Sequence, residues 1–295
     1  MLKPYHCLFV IFILFPLWIE AQIVSDYNLK LVFVSDDQLC CLSERPESES
    51  VAFILSDEEK SRIMSFDFKT GTIEALSSID FKTSSLTADP QTGRLYILDK
   101  NGQIRTDETL TDKKHKMKLL AKRGLVLREI RFNQSGNLLA LIGRHRSESR
   151  YKLMTFDFKY DNLNEHFEGG NIYRNLNWSG SSGLISVTHL NKPVFASDIR
   201  IFDWSGKHII DIHSDTVRLS QAVWGNSSSR LVCVGQSATG YSLLKFKNDG
   251  QLAEVLIKSN DPVFEPFFAG NNRKLFFFTK NSEQKMQLWY IDLEL

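Results

Sequence analysis

Short apolar runs separated by polar turns recur along the whole chain. The stretch Glu129–Lys159 shows the unit in full. Ile130–Phe132 is a first apolar run, followed by a polar turn with Gly136. Leu138–Ile142 is a second run, and the charged loop Gly143–Arg150 follows it. Tyr151–Phe158 then alternates between apolar and polar positions. Runs of this length and alternation predict strands rather than helices. The second run starts again near Val51, Leu95, Leu138, Leu184, Leu231 and Leu275, at intervals of 44, 43, 46, 47 and 44 residues. The third strand gives an independent mark. Phe66-Asp67, Phe156-Asp157, Phe202-Asp203, Phe246-Lys247 and Ile291-Asp292 lie 90, 46, 44 and 45 residues apart, the first interval spanning two units.

A period near 45 residues with three or four strands per unit predicts an all-β fold, a six-bladed β-propeller. The joint before each second strand supplies turn residues: DPQTGR at 89–94, NQSGN at 133–137, WSGSSG at 178–183, GNSSSR at 225–230 and AGNNRK at 269–274. The last unit stops after its third strand, and residues 28–35 (NLKLVFVS) form a spare strand ahead of the first unit. The N-terminal strand is therefore predicted to complete the last blade, which removes an exposed sheet edge.

The units resemble those of TolB-like six-bladed propellers. Phe132-Asn133-Gln134-Ser135-Gly136-Asn137-Leu138-Leu139-Ala140 is similar to that family's F-S-P-D-G-x-x-I-A pattern, with Asn-Gln-Ser in place of Ser-Pro-Asp. The second unit, Asp89 to Asp99, is similar to the repeat of low-density-lipoprotein-receptor propellers, with Tyr-Ile-Leu-Asp for Tyr-Trp-Thr-Asp. The resemblance spans roughly residues 28–295 and implies the fold, which hosts scaffolds, receptors and hydrolases alike. Some such propellers hold a metal on central-channel Asp, Asn and Glu for ester or lactone hydrolysis. No such set is identified from sequence.

Composition adds limits. Apolar residues make up 42% and charged ones 24%, an ordinary globular balance, and the formal net charge is +1. No global pull toward nucleic acid or an anionic membrane follows. Residues 1–21 have the layout of a secretory signal peptide: Lys3 and His6, the 13-residue apolar run Cys7–Ile19, and Ala21 before Gln22. That run is too short for a spanning helix and contains Pro16. A single domain over 22–295 is expected, in the secretory-pathway lumen or outside the cell, with no stable membrane insertion. Cys40, Cys41 and Cys233 then remain, an odd number that excludes a full disulfide framework. They read as buried small hydrophobes, with Cys40 and Cys41 on opposite faces of a strand.

Candidate chemistry is sparse. There is no G-x-S-x-G elbow, H-E-x-x-H pair, P-loop or EF-hand loop, so no catalytic residue, metal ligand or cofactor is assigned. The Asp at 67, 157, 203 and 292 reads as structural, bonded to a neighbouring turn. The basic run Asp112–Arg123 lacks interleaved aromatics and fits a solvated outer strand. Sequons at Asn133, Asn177 and Asn226 are candidate glycosylation sites, all placed at the turns between first and second strands. The loops between second and third strands crowd the opposite face, with Arg144, His145 and Arg146 the candidate binding residues. The expectation is a secreted, non-catalytic module that binds an unidentified protein or glycan. The alternatives are a small metal-dependent hydrolase or esterase with its site in the central channel, and a structural protein of the secretory pathway.

Overall fold

The computed structural model describes residues 23–45, 48–57, 60–106, 116, 120, 124–166, 172–180, 182–191, 196–225, 230–247, 249–271 and 273–293. The elements named among the described residues are strands. β1 (Leu29–Ser35) comes first. Blade 1 follows as β2 (Gln38–Arg45), β3 (Ser50–Ser56), β4 (Ser61–Asp67) and β5 (Ile73–Ile79). Blade 2 shows β6 (Thr83–Ala88), β7 (Leu95–Asp99) and β8 (Ile104–Thr106) among the described residues. Blade 3 has β9 (Leu125–Phe132), β10 (Leu138–His145), β11 (Lys152–Asp157) and β12 (Asn162–His166). Blade 4 has β13 (Ile172–Trp178), β14 (Leu184–Asn191), β15 (Ala196–Asp203) and β16 (His208–Ile212). Blade 5 has β17 (Arg218–Trp224), β18 (Leu231–Ser237), β19 (Gly240–Phe246) and β20 (Leu252–Ser259). Blade 6 has β21 (Val263–Ala269), β22 (Lys274–Lys280) and β23 (Met286–Asp292). Five sheets are antiparallel meanders in chain order, and the sixth adds β1 beside β23.

The second strands are β3, β7, β10, β14, β18 and β22, starting at or within one residue of the positions the period predicts. Their continuous apolar character has a simple cause. Each is covered on both faces by neighbouring blades, so Val51–Leu55, Leu95–Leu98 and Leu275–Phe278 are buried throughout. Six apolar clusters fill the six gaps between consecutive blades, the last joining blade 6 back to blade 1 through Phe276, Phe278, Phe53 and Leu42. The outer strand β5 has no buried residue, whereas β20 buries Leu256, Ile257 and Ser259.

β1 pairs antiparallel with β23, from Leu29 opposite Ile291 to Ser35 opposite Met286, and so supplies the fourth strand of blade 6. Phe33 packs on Phe53 of blade 1, ring centroids 5.9 Å apart. The N-terminal strand therefore belongs to one blade by hydrogen bonding and touches the next by packing. The segment ahead of it is also tied down. Val24 bridges Lys258, and Ser25 Oγ donates to the Leu256 carbonyl at 2.9 Å.

The aspartates repeated after the third strands are turn formers. Asp67 accepts from the amides of Lys69 and Thr70, Asp157 from those of Lys159 and Tyr160, and Asp203 from those of Ser205 and Lys207. Asp292 instead pairs with Lys30 and Lys274. The Asp203 turn ends in Gly206, at φ +85°, directly beneath the ring of His166 from blade 3. A Cβ placed there would lie 1.8 Å from His166 Nδ1. Gly206→Ala is expected to destabilise by about 2–4 kcal/mol, from the left-handed backbone and the overpacking together. Adding His166→Ala should recover part of that loss in a urea-unfolding cycle. A double variant no better than Gly206→Ala would refute the clash.

Candidate functional site

The inner strands of the six blades line a central channel. All six carry a register shift: Cys40/Ser43, Thr83/Ser85, Arg174/Asn177, Ser220/Val223, Phe264/Phe267 and, on β9, Leu127/Glu129, which face Gly143 and Ile142 and leave Arg128 unpaired. At four of these bulges a non-glycine residue takes a left-handed conformation: Cys41 (φ 64°), Asn175 (54°), Gln221 (54°) and Glu265 (50°). Such residues cost energy unless the surroundings hold them. Here the bulge turns backbone N–H groups toward the preceding blade, and a polar side chain accepts them. Glu129 takes the amides of Asn175 and Leu176 at 2.9 and 2.7 Å. Thr188 takes that of Gln221 at 2.8 Å. Gln221 Oε1 takes that of Glu265, and Glu265 Oε2 takes that of Cys41. Ser43 accepts from Ala88, and Thr87 from Phe132, closing the circuit through blades 1, 2 and 3.

These interlocks bring Glu129, Asn175, Gln221, Glu265 and Cys41 to one lumen of about 110 Å³, with Arg131 beside them. Arg131 Nη1 donates to the carbonyls of Leu42 and Leu86, at 3.1 and 2.6 Å. Its Nε and Nη2 have no hydrogen-bond partner among the described residues. Glu265 is half-buried and opens onto the lumen. Burial pushes its carboxyl up to about 6, against the Cys41 amide and the charge of Arg131. The lumen continues past Arg131 and Asn177 into a cavity of about 530 Å³ on the face carrying the first-to-second-strand turns. That volume suits a small ligand. Its walls include Glu44, Trp178, Trp224 and Phe267. Trp178 Nε1 donates to the Arg131 carbonyl at 2.9 Å, whereas the buried indole N–H of Trp224 finds no acceptor among the described residues. Burial also raises Glu44, opposed by the Gly270 amide.

The residues singled out from sequence are placed as follows. Asn133 sits in the β9–β10 turn, where Nδ2 donates to Ser135 Oγ and Asn137 Oδ1. Asn177 is the penultimate residue of β13, half-buried in the cavity wall rather than in the turn. Asn226, residues 1–21 and nearly all of the basic run lie outside the described residues. Arg144, His145 and Arg146 are together on the opposite face. Arg144 Nη1 donates to the Glu148 carbonyl, His145 Nε2 lies 2.7 Å from Glu165, and Arg146 is exposed. The three cysteines are free. Burial raises the Cys233 thiol, and the Cys40 thiol followed by burial raises that of Cys41. The expected split of Cys40 and Cys41 to opposite faces fails because the bulge breaks alternation, and both pack against one cluster.

Sequence reasoning missed the channel set because it looked for local motifs. Glu129 and Glu265 are 136 residues apart. The repeat held the signal, since Glu129, Asn175, Gln221 and Glu265 occupy one column at intervals of 46, 46 and 44.

A metal is implied by some enzymes of this fold, and the channel donors do not fit one. Both oxygens of Glu129 and one of Glu265 are already spent on backbone amides, as is Gln221 Oε1. No group of three His, Cys, Asp or Glu among the described residues could hold an ion. Arg131 places a fixed positive charge in the same lumen.

No family model and no curated protein matches the sequence. Solved structures do match. A gluconolactonase from Xanthomonas campestris is 15% identical over 93% of this chain and 95% of its own, with a TM-score of 0.66. A second structure, provisionally assigned as a gluconolactonase, is 11% identical over 90% of this chain and 92% of its own, with a TM-score of 0.60. TolB from Acinetobacter baumannii is 15% identical over 77% of this chain, which spans about half of that protein (56%), with a TM-score of 0.55. These likenesses establish the six-bladed, TolB-like fold. They also count against the expectation of a non-catalytic binding module, because the two structures matched over nine-tenths of the chain are described as gluconolactonases.

Proposed function

We propose that this chain is a hydrolase acting on a small lactone or oxygen ester in the central channel. The observation that carries this reading is Glu265, a half-buried carboxylate raised to about 6 by desolvation in a lumen shared with Arg131. A general base works best when its pKa lies near the working pH. Glu265 takes a proton from water, whose oxygen attacks the carbonyl carbon. The free edge of the Arg131 guanidinium stabilises the negative charge on the carbonyl oxygen. The ring C–O bond then breaks, and Glu265 returns its proton to the leaving oxygen, giving a hydroxy acid. Asn175 and Gln221 supply amide groups that orient the substrate. The gluconolactonase likeness supports a lactone as the first candidate. Residues 1–21 support secretion of the enzyme, and Asn133 is its best-placed glycan acceptor.

Purified protein assayed against five- and six-membered lactones and short-chain aryl esters should show turnover that persists in excess chelator, as the donor set requires. Failure to hydrolyse any member would end the reading. Turnover abolished by chelator and restored by a divalent cation would end its metal-free form.

A further inference from the structure

The mouth opposite the large cavity, where the inner strands begin, gathers positive charge. Arg128, Arg174 and Arg218 stand on β9, β13 and β17, the inner strands of three consecutive blades. Arg174 and Arg218 are exposed and Arg128 is half-buried. We propose that these three arginines form a binding site for a small oxyanion: a phosphate, sulfate or carboxylate group.

Like charges drawn together cost energy unless something offsets them, and here only the charge of Glu129 acts against them, without an ion pair. None of the three makes an ion pair with a described carboxylate. The nearby acids are spent elsewhere. Glu129 holds the amides of Asn175 and Leu176, Glu148 pairs with Lys152, and Glu165 with Lys152 and His145. Burial, then the charge of Arg128, holds Arg174 below the ordinary arginine range; Arg218 adds to the effect and Glu129 opposes it. The arginines are nevertheless positioned. Arg128 and Arg144 flank the Tyr151 ring at 5.5 and 5.6 Å from its centroid, and Arg218 Nε donates to Ser197 Oγ at 3.2 Å. That leaves the two terminal nitrogens of Arg218, and the planar forks of its neighbours, for an oxyanion, the group whose geometry the guanidinium matches. The chain's net charge is only +1, so the excess is local.

The site rests on its own residues and not on the hydrolase reading; where that reading holds, the anion is a group carried by the substrate. Calorimetric titration of inorganic phosphate into the full-length protein should give saturable binding. Affinity should fall at least tenfold in Arg174→Ala, about 1.4 kcal/mol, and be lost in the triple alanine variant. Arg174→Lys should keep part of it, and Arg62→Ala, paired with Asp37 on blade 1, should bind as wild type. Arg174 is exposed, so the single variant decides if the triple one does not fold. Phosphate that raises the KM of an anionic ester but not of a neutral one marks the substrate as the source. Binding without competition marks the free ion. No saturable binding to wild type, or equal binding to Arg174→Ala, overturns the proposal whatever the activity assays show.

Discussion

Deleting residues 22–35 is expected to lower the melting temperature by roughly 10 °C or more. The deletion removes the fourth strand of blade 6 and every backbone bond that β1 makes to β23. It also strips Tyr27, Leu29, Val32 and Phe33 from the apolar clusters on either side of blade 6. Each is partly buried, so about 1 kcal/mol apiece is a fair fraction of the 1.5–3 kcal/mol for full burial. With the exposed edge of β23, the loss approaches 5 kcal/mol, against a total stability of about 5–15 kcal/mol for an ordinary domain. The bare edge should also promote association. Circular dichroism melts and light scattering of the truncated protein are the measurements. An unchanged melt would show that blade 6 holds without its fourth strand.

Replacing Glu265 with glutamine should reduce hydrolysis on the order of 10³-fold, the scale of a lost general base, while making the protein more stable at neutral pH. The second effect follows from linkage. Glu265 holds its proton up to about pH 6 when folded, against 4.5 in its ordinary state. Between those values the folded chain binds a proton that the unfolded chain has released. Stability therefore falls as pH rises across that window, by about 2 kcal/mol at 1.36 kcal/mol per pKa unit. Glutamine cannot ionise and can still accept from the Cys41 amide, so the variant should lose that slope. Equal melting temperatures at pH 4.5 and a higher one for Glu265→Gln at pH 7 are expected, together with an acid limb near pH 6 in the wild-type rate profile. A variant that keeps its activity, or that is destabilised at both pH values, would remove Glu265 from the base role.

The fold was legible in the sequence because the same burial problem is solved six times. Leu138–Ile142 and Leu275–Phe278 are covered on both faces, and such strands read as unbroken apolar runs whatever else surrounds them. Gly136 and its counterparts punctuate the chain for equally local reasons. The channel was not legible in that way. Glu129, Asn175, Gln221 and Glu265 are brought together by ring closure, and Glu129, Gln221 and Glu265 each accept from the backbone of the next blade rather than from a sequence neighbour. The left-handed bulges at Cys41 and Asn175 leave no composition signal, since neither residue is a glycine. Arg144 shows the converse. Its loop looked reactive because it was charged, yet part of its guanidinium is consumed by carbonyls of its own loop.

The pairing of Leu29 with Ile291 sets an order of events during synthesis. All six blades must leave the ribosome before β1 meets its partner. Contacts so distant in sequence close slowly, and blades made early must wait with Phe53 and Leu42 uncovered until Phe276 and Phe278 arrive. The ring is thus completed by a segment made before all six blades, and the nascent chain most needs protection from aggregation in the interval before β21–β23 emerge.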